Sequence, residues 1–213
     1  MGELNDLCEA EFSDLYWPLL SPGSSRADEV FSKVARVRSD LEDIQALLKG
    51  GWREQVVGAV ACLFHPEREA CRALLWRAFD GGSWATPQLA VCAMLLDPGD
   101  FAEVRRRLLL RCPSVSDHLE GTEPIWRHVV HGGAAITSHN MKGMAALIET
   151  YSCCPEGTDW LQKHLPFEDA YWGLEVDHWD NGVGIARGWR GNAGPVLEKL
   201  GFAVPNFSRR SEE

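Results

Sequence analysis

The chain has 213 residues, 45% hydrophobic and 24% charged, the balance of a globular protein long enough to bury one core. Its formal net charge of −10 weighs against nucleic acid as a direct ligand, because phosphates need a basic surface, and it is compatible with a basic partner. No apolar run approaches the roughly 20 residues a membrane helix needs. The acidic opening MGELNDLCEAEF has neither a basic region nor an apolar core, so no membrane contact and no secretory signal are expected, and the chain reads as cytoplasmic. Its seven cysteines are an odd number. Cys8, Cys62, Cys71, Cys92 and Cys112 stand in or beside apolar or helical runs and read as small buried hydrophobes.

In residues 1–25, Glu3, Asp6, Glu9, Glu11 and Asp14 are interleaved with Leu4, Leu7, Phe12, Leu15, Tyr16 and Trp17 at helix-like spacing. This predicts a short docked helix ending at Pro18, then a loop at 21–25. A long helix is predicted over 27–49, capped by Ser25 or Asp28, with Val30, Val34, Val37, Leu41, Ile44 and Leu48 as its buried stripe and Gly50 with Gly51 as its stop.

The stretch from Trp52 to Arg111 reads as one unit written twice, the second copy starting at Trp84. Trp52 and Trp84, Ala61 and Ala93, Leu63 and Leu95, Pro66 and Pro98, and Ala70 and Ala102 are identical pairs at a spacing of 32 residues. In each copy an aromatic opens an apolar helical run, a proline ends it, and a more charged helix follows. Val56, Val57, Val60, Leu63 and Phe64 share one broad helical face, as do Leu89, Val91, Cys92, Leu95 and Leu96. Proline cannot continue a helix but suits the first turn of the next, so each pair is expected to fold as an antiparallel hairpin. Trp52 and Trp84 are expected in the core, with Trp84 as an exposed anchor being the alternative. Glu103, Arg107 and Arg111 recur on one face, which predicts a solvated row with Glu103 paired to Arg107.

Residues 112–133 lose the pattern and read as a loop-rich connection. A helix is predicted over 138–152, burying Met141, Met144, Ala145, Leu147 and Ile148, and helices over 176–190 and 195–200 precede a polar tail at 206–213. Between 156 and 180 the chain is acidic and aromatic together.

The paired units, Trp52 to Pro66 and Trp84 to Pro98 with the helices that follow them, resemble HEAT-like α-helical repeat proteins. The resemblance implies an all-α fold, a short stack of antiparallel hairpins that presents a concave surface. It implies no active site. The expected organisation is a single domain over 1–213: an acidic segment (1–25), hairpins (26–111), a connection (112–133), C-terminal helices (134–205) and a tail.

Catalytic and metal motifs are poor. His128 with His131 and Cys153 with Cys154 lack a second ligand pair at zinc spacing, so no metal is expected. Gly182-x-Gly184 has Arg187 where a dinucleotide fingerprint needs its third glycine, and no strand precedes it, so no cofactor is expected. Those glycines, with Gly188, instead suit close helix approach. An enzyme, which is not the favoured reading, would place its site around His128, His131 and Asp177; a nucleophile reading pairs Cys153 or Cys154 with His128, His131 or His139, and an acid–base reading takes Asp177 with His178 and Asp180. A scaffold would use the concave face.

The feature that stands out is the set Trp160, Glu168, Asp169, Tyr171, Trp172, Glu175, Asp177, Trp179 and Asp180. Rings supply hot spots and carboxylates steer a basic protein partner. In size, charge and lack of catalytic motif the chain is similar in type to the immunity proteins that bacteria pair with toxins, although no motif of that class is matched residue by residue. That similarity implies a basic toxin domain as partner. Trp160, Tyr171, Trp172 and Trp179 would bury in its cleft while Glu168, Asp169, Glu175, Asp177 and Asp180 replace the phosphates of its substrate.

Overall fold

The structure, a computed structural model, describes residues 3–37, 39–97, 102–104, 106–107, 143, 146, 147, 149, 150, 176–202 and 204. The fold is all-α: every regular element among the described residues is a helix. Helix α1 (Glu3–Leu20) turns Leu4, Cys8, Leu15 and Leu19 into the core. Their spacing of four, seven and four residues keeps them on one face despite a kink at Glu11, where φ is −133° and ψ 25°. Pro18 lies inside this helix rather than ending it, and Ser21 N–H closes the last turn on the Trp17 carbonyl at 3.0 Å.

The helix expected over 27–49 is two helices. α2 (Ala27–Arg36) buries Ala27, Val30, Phe31 and Val34, and α3 (Leu41–Lys49) buries Ile44, Leu47 and Leu48. Val37 and Asp40 are both extended between them. Ser39 and Asp40 have short polar side chains that compete with helical hydrogen bonds, and Asp40 takes the N-cap position. Neither Ser25 nor Asp28 caps α2, whose N-cap is Arg26. Gly50 ends α3 and Gly51 begins α4 (Trp52–Phe64), as the paired glycines suggested.

α4, α5 (Arg68–Gly81) and α6 (Thr86–Leu96) alternate in direction. Cys62 near the end of α4 lies beside Cys71 near the start of α5, with Sγ 3.9 Å from the Cys71 carbonyl oxygen. The Arg68 guanidinium, at the start of α5, donates to the carbonyls of Leu95 and Leu96 at the end of α6, at 3.5 and 3.1 Å. α4 and α6 therefore run parallel. Residues 55–63 of α4 and every residue of α6 are buried, so these helices are covered on all sides rather than on one face.

Described residues at 102–107 and 143–150 are helical and bury Val104, Ala146 and Leu147. α7 (Val176–Lys199) is one helix that passes through Pro195, where two had been expected. The N–H that Pro195 lacks would have served the carbonyl of Gly191, which is exposed and can turn to water. α7 packs on α6 and α2. Its Trp189, 3% exposed, donates its indole N–H to the Leu19 carbonyl at 2.7 Å and lies 6.3 Å from the Phe31 ring. Gly184 and Gly188 face open space and mediate no close approach; Gly182 is buried.

The close approach is instead at Gly58, where a side-chain carbon would come within 3.1 Å of Leu47 Cβ and 3.2 Å of Leu48 Cγ. α3 lies against α4 there. Gly58→Val should lower unfolding free energy in urea titrations by about 1–3 kcal/mol, the usual cost of overpacking. Unchanged stability would show that α3 moves away freely.

Candidate functional site

Of the acidic and aromatic residues expected to form the partner surface, Asp177, Trp179 and Asp180 lie in the opening turns of α7. Their side chains, and Trp160, Glu168, Asp169, Tyr171, Trp172 and Glu175 altogether, fall outside the described residues, as do His128, His131, His139, Cys153, Cys154, Cys112 and Arg111. The later turns of α7 are docked through Ala186, Trp189, Ala193, Val196 and Leu197.

A second aromatic region is described in full, and the sequence did not single it out. Tyr16 and Trp17 come from the last turns of α1, and Trp52 and Arg53 open α4. The Tyr16 and Trp17 ring centroids are 4.9 Å apart, and Tyr16 meets Trp52 edge-on at 5.9 Å. The Arg53 guanidinium lies 4.4 Å from the Trp52 centroid and 5.2 Å from that of Tyr16. Such contacts hold an exposed arginine in place by about 0.5–1 kcal/mol each. The start of α6 joins the same end of the molecule: Ser83 Oγ donates to Gln55 Oε1, one turn into α4, and Trp84 is the next residue. Trp17 at 56% and Trp84 at 48% are the exposed large hydrophobic side chains among the described residues.

Trp84 is thus exposed and Trp52 half-buried, against the core placement that a repeat position suggested. α6 is already surrounded by α4, α5 and α7, so a bulky residue just before its first turn is left at the rim. Trp17 carried a readable signal. Consecutive helical residues point about 100° apart, so Leu15, Tyr16 and Trp17 cannot all face one core.

Cys8, Cys62, Cys71 and Cys92 are free and buried. A hydrogen bond with Cys71, together with burial, pushes the Cys62 thiol well above its ordinary value; burial does the same to Cys92. Burial and the nearby Glu54 carboxylate raise Cys8 to about 11. These three thiols stay protonated and unreactive near neutral pH. Among the described residues no group of His, Cys, Asp and Glu is arranged to hold a metal ion. No described helix is long and apolar enough to cross a membrane. Compared with protein-family models, curated proteins and solved structures, the chain matches none.

The predicted Glu103 to Arg107 pair is present, but Arg107 is not solvated: its side chain is 5% exposed. Asp80, at the end of α5, takes two further bonds from it at 3.2 and 3.0 Å, and the guanidinium lies 4.3 Å from the Trp76 centroid. Desolvating this cation is tolerable because two carboxylates and a ring face surround it. Glu103 also accepts from Arg106 at 2.7 and 2.8 Å. The Arg106 hydrogen bonds, then those of Arg107, outweigh burial and hold the Glu103 carboxyl at about 2 instead of 4.5. Because its folded value is depressed, Glu103 contributes stability above pH 4.5 that is lost as pH falls toward 2. Glu103→Gln should cost about 1–2 kcal/mol at pH 7 and flatten the acid decline across that window, as read by urea unfolding at a series of pH values. An equally steep decline in the variant would assign it to other carboxylates.

Proposed function

We propose that this chain is a protein-binding module, an immunity protein in type, that neutralises a cognate bacterial toxin by direct contact. The observation that carries the binding part is the exposure of two tryptophans: Trp17, beside Tyr16 and near Trp52 and Arg53, and Trp84, next to the Ser83 that bonds Gln55 of α4. Large exposed rings rimmed by polar groups are typical of surfaces that a partner covers. The parallel placement of α4 and α6, with an antiparallel α5 between them, supports the HEAT-like arrangement that would display such surfaces.

The toxin part of the reading rests on the net charge of −10 and on the stretch from 156 to 180. There Trp160, Tyr171, Trp172 and Trp179 act as anchors, while Glu168, Asp169, Glu175, Asp177 and Asp180 meet the basic cleft in which a nuclease-like toxin would hold phosphates. Charge of this density speeds encounter and rejects acidic competitors.

Affinity capture from the source organism at low and high salt, with wild type and a Trp172→Ala, Asp177→Lys double variant, tests this. Wild type should retain one basic protein, less of it at high salt, and the variant should lose it. A variant that captures the same protein equally well would sink the C-terminal interface.

A further inference from the structure

We infer that the end of the molecule formed by Trp17, Tyr16, Trp52, Arg53, Lys49 and Trp84 is a second docking surface, one that takes a peptide segment carrying a carboxylate next to an apolar or aromatic side chain. It is opposite in sign to the stretch from 156 to 180 and does not depend on the toxin reading.

Charge complementarity identifies the occupant. In a chain with 31 carboxylates against 21 lysines and arginines, cations have ample chance to be paired. Arg26, Lys33, Arg72, Arg106, Arg107, Arg187, Arg190 and Lys199 are paired. Arg53 and Lys49 are exposed on either side of the Gly50 and Gly51 turn, and neither is paired with a carboxylate of another described residue. The nearest acidic neighbour in sequence, Glu54, is turned back: its Oε2 lies 2.8 Å from where a Gly51 side chain would stand, and its field reaches Cys8. Glu54 thus occupies the start of α4 and leaves the Arg53 fork open.

The rings do the second part of the work. Stacked on Trp52 and Tyr16, the guanidinium is held before any ligand arrives, so its planar N–H fork can donate two parallel bonds to a carboxylate with little ordering cost. Trp17, beside Tyr16, and the exposed Trp84, which follows the Ser83 bonded to Gln55, offer apolar faces to the residue beside that carboxylate. Tryptophan, tyrosine and arginine are the residue types that dominate binding hot spots. Here they come from three separate helices and their leading turns.

A random short-peptide display library selected on the full chain tests this, with binding of the enriched peptides then measured on variants. Enriched peptides should share Asp or Glu next to an aromatic or aliphatic residue. Their affinity should fall about tenfold or more with Arg53→Ala, be partly restored with Arg53→Lys, and fall with Trp17→Ala. Both positions are at the surface, so far-ultraviolet circular dichroism should stay unchanged, and the Trp172→Ala, Asp177→Lys variant should bind the same peptides normally. That last arm separates this surface from the toxin reading. The proposal is overturned by no enrichment, by enrichment of Lys- and Arg-rich peptides, or by peptides indifferent to Arg53. Concentration-dependent self-association abolished by Arg53→Ala would overturn it in favour of a second copy of the chain.

Discussion

Two parallel helices with no polar side set the terms for everything else. α4 and α6 bury nearly all of their side chains, so neither can lie at the surface, and both must be covered on every side. α1, α2, α3, α5 and α7 supply that cover. The ends of these helices still need partners for their backbone groups, and side chains of neighbouring segments supply some of them. Arg68 of α5 serves the final carbonyls of α6, and Gln55 of α4 serves the Leu48 carbonyl of α3 at 3.2 Å. At the start of α6, Thr86 Oγ1 accepts from Ser83 N–H and Ser83 Oγ from Ala85 N–H, at 3.0 and 3.1 Å. The polar groups that stitch the helices together are therefore few, specific and placed at helix ends.

The same constraint explains where the charge goes. Several cations are paired between helical segments, as in Arg72 to Asp97, Arg107 to Asp80, and Arg187 and Arg190 to Glu149. Glu149 and Arg107 are buried ions whose value lies in holding one arrangement of helices rather than in raw stability, since desolvation offsets most of the Coulomb gain. Other cations stay outside without a carboxylate among the described residues, among them Arg53 over Trp52 and Arg68 over Phe202.

The all-helical class was legible because Val30, Val34, Val37, Leu41, Ile44 and Leu48 recur at spacings of three and four, with no strand-like alternation. Gly50 and Gly51 were legible as a boundary, and so was the pairing of Glu103 with Arg107. The break at 37–40 was not, since no glycine or proline marks it; Val37 and Asp40 turn extended there, and Ser39 Oγ donates to the Val37 carbonyl at 3.5 Å. Pro18 and Pro195 misled in the other direction: each costs a helical bond, but packing of the flanking residues holds the helix together across the gap. The aromatic end was not legible as one site because Tyr16 and Trp17 belong to one helix and Trp52 and Arg53 to another, although the consecutive Leu15, Tyr16 and Trp17 already implied an exposed ring. Burial of Arg107 was hidden for the same reason, since Trp76 and Asp80 belong to another helix.

The bond from Trp189 to Leu19 joins residues 170 positions apart, and the contact of Lys199 with Asp28 spans 171. Contacts of such separation form late, because the loop they close is nearly the whole chain. During synthesis the first three helices emerge long before their cover exists, with Phe31 and the flank of α6 open to water until α7 arrives. The nascent chain is then at its most adhesive, so the interval before the last helix leaves the ribosome is when it depends most on being kept apart from its neighbours.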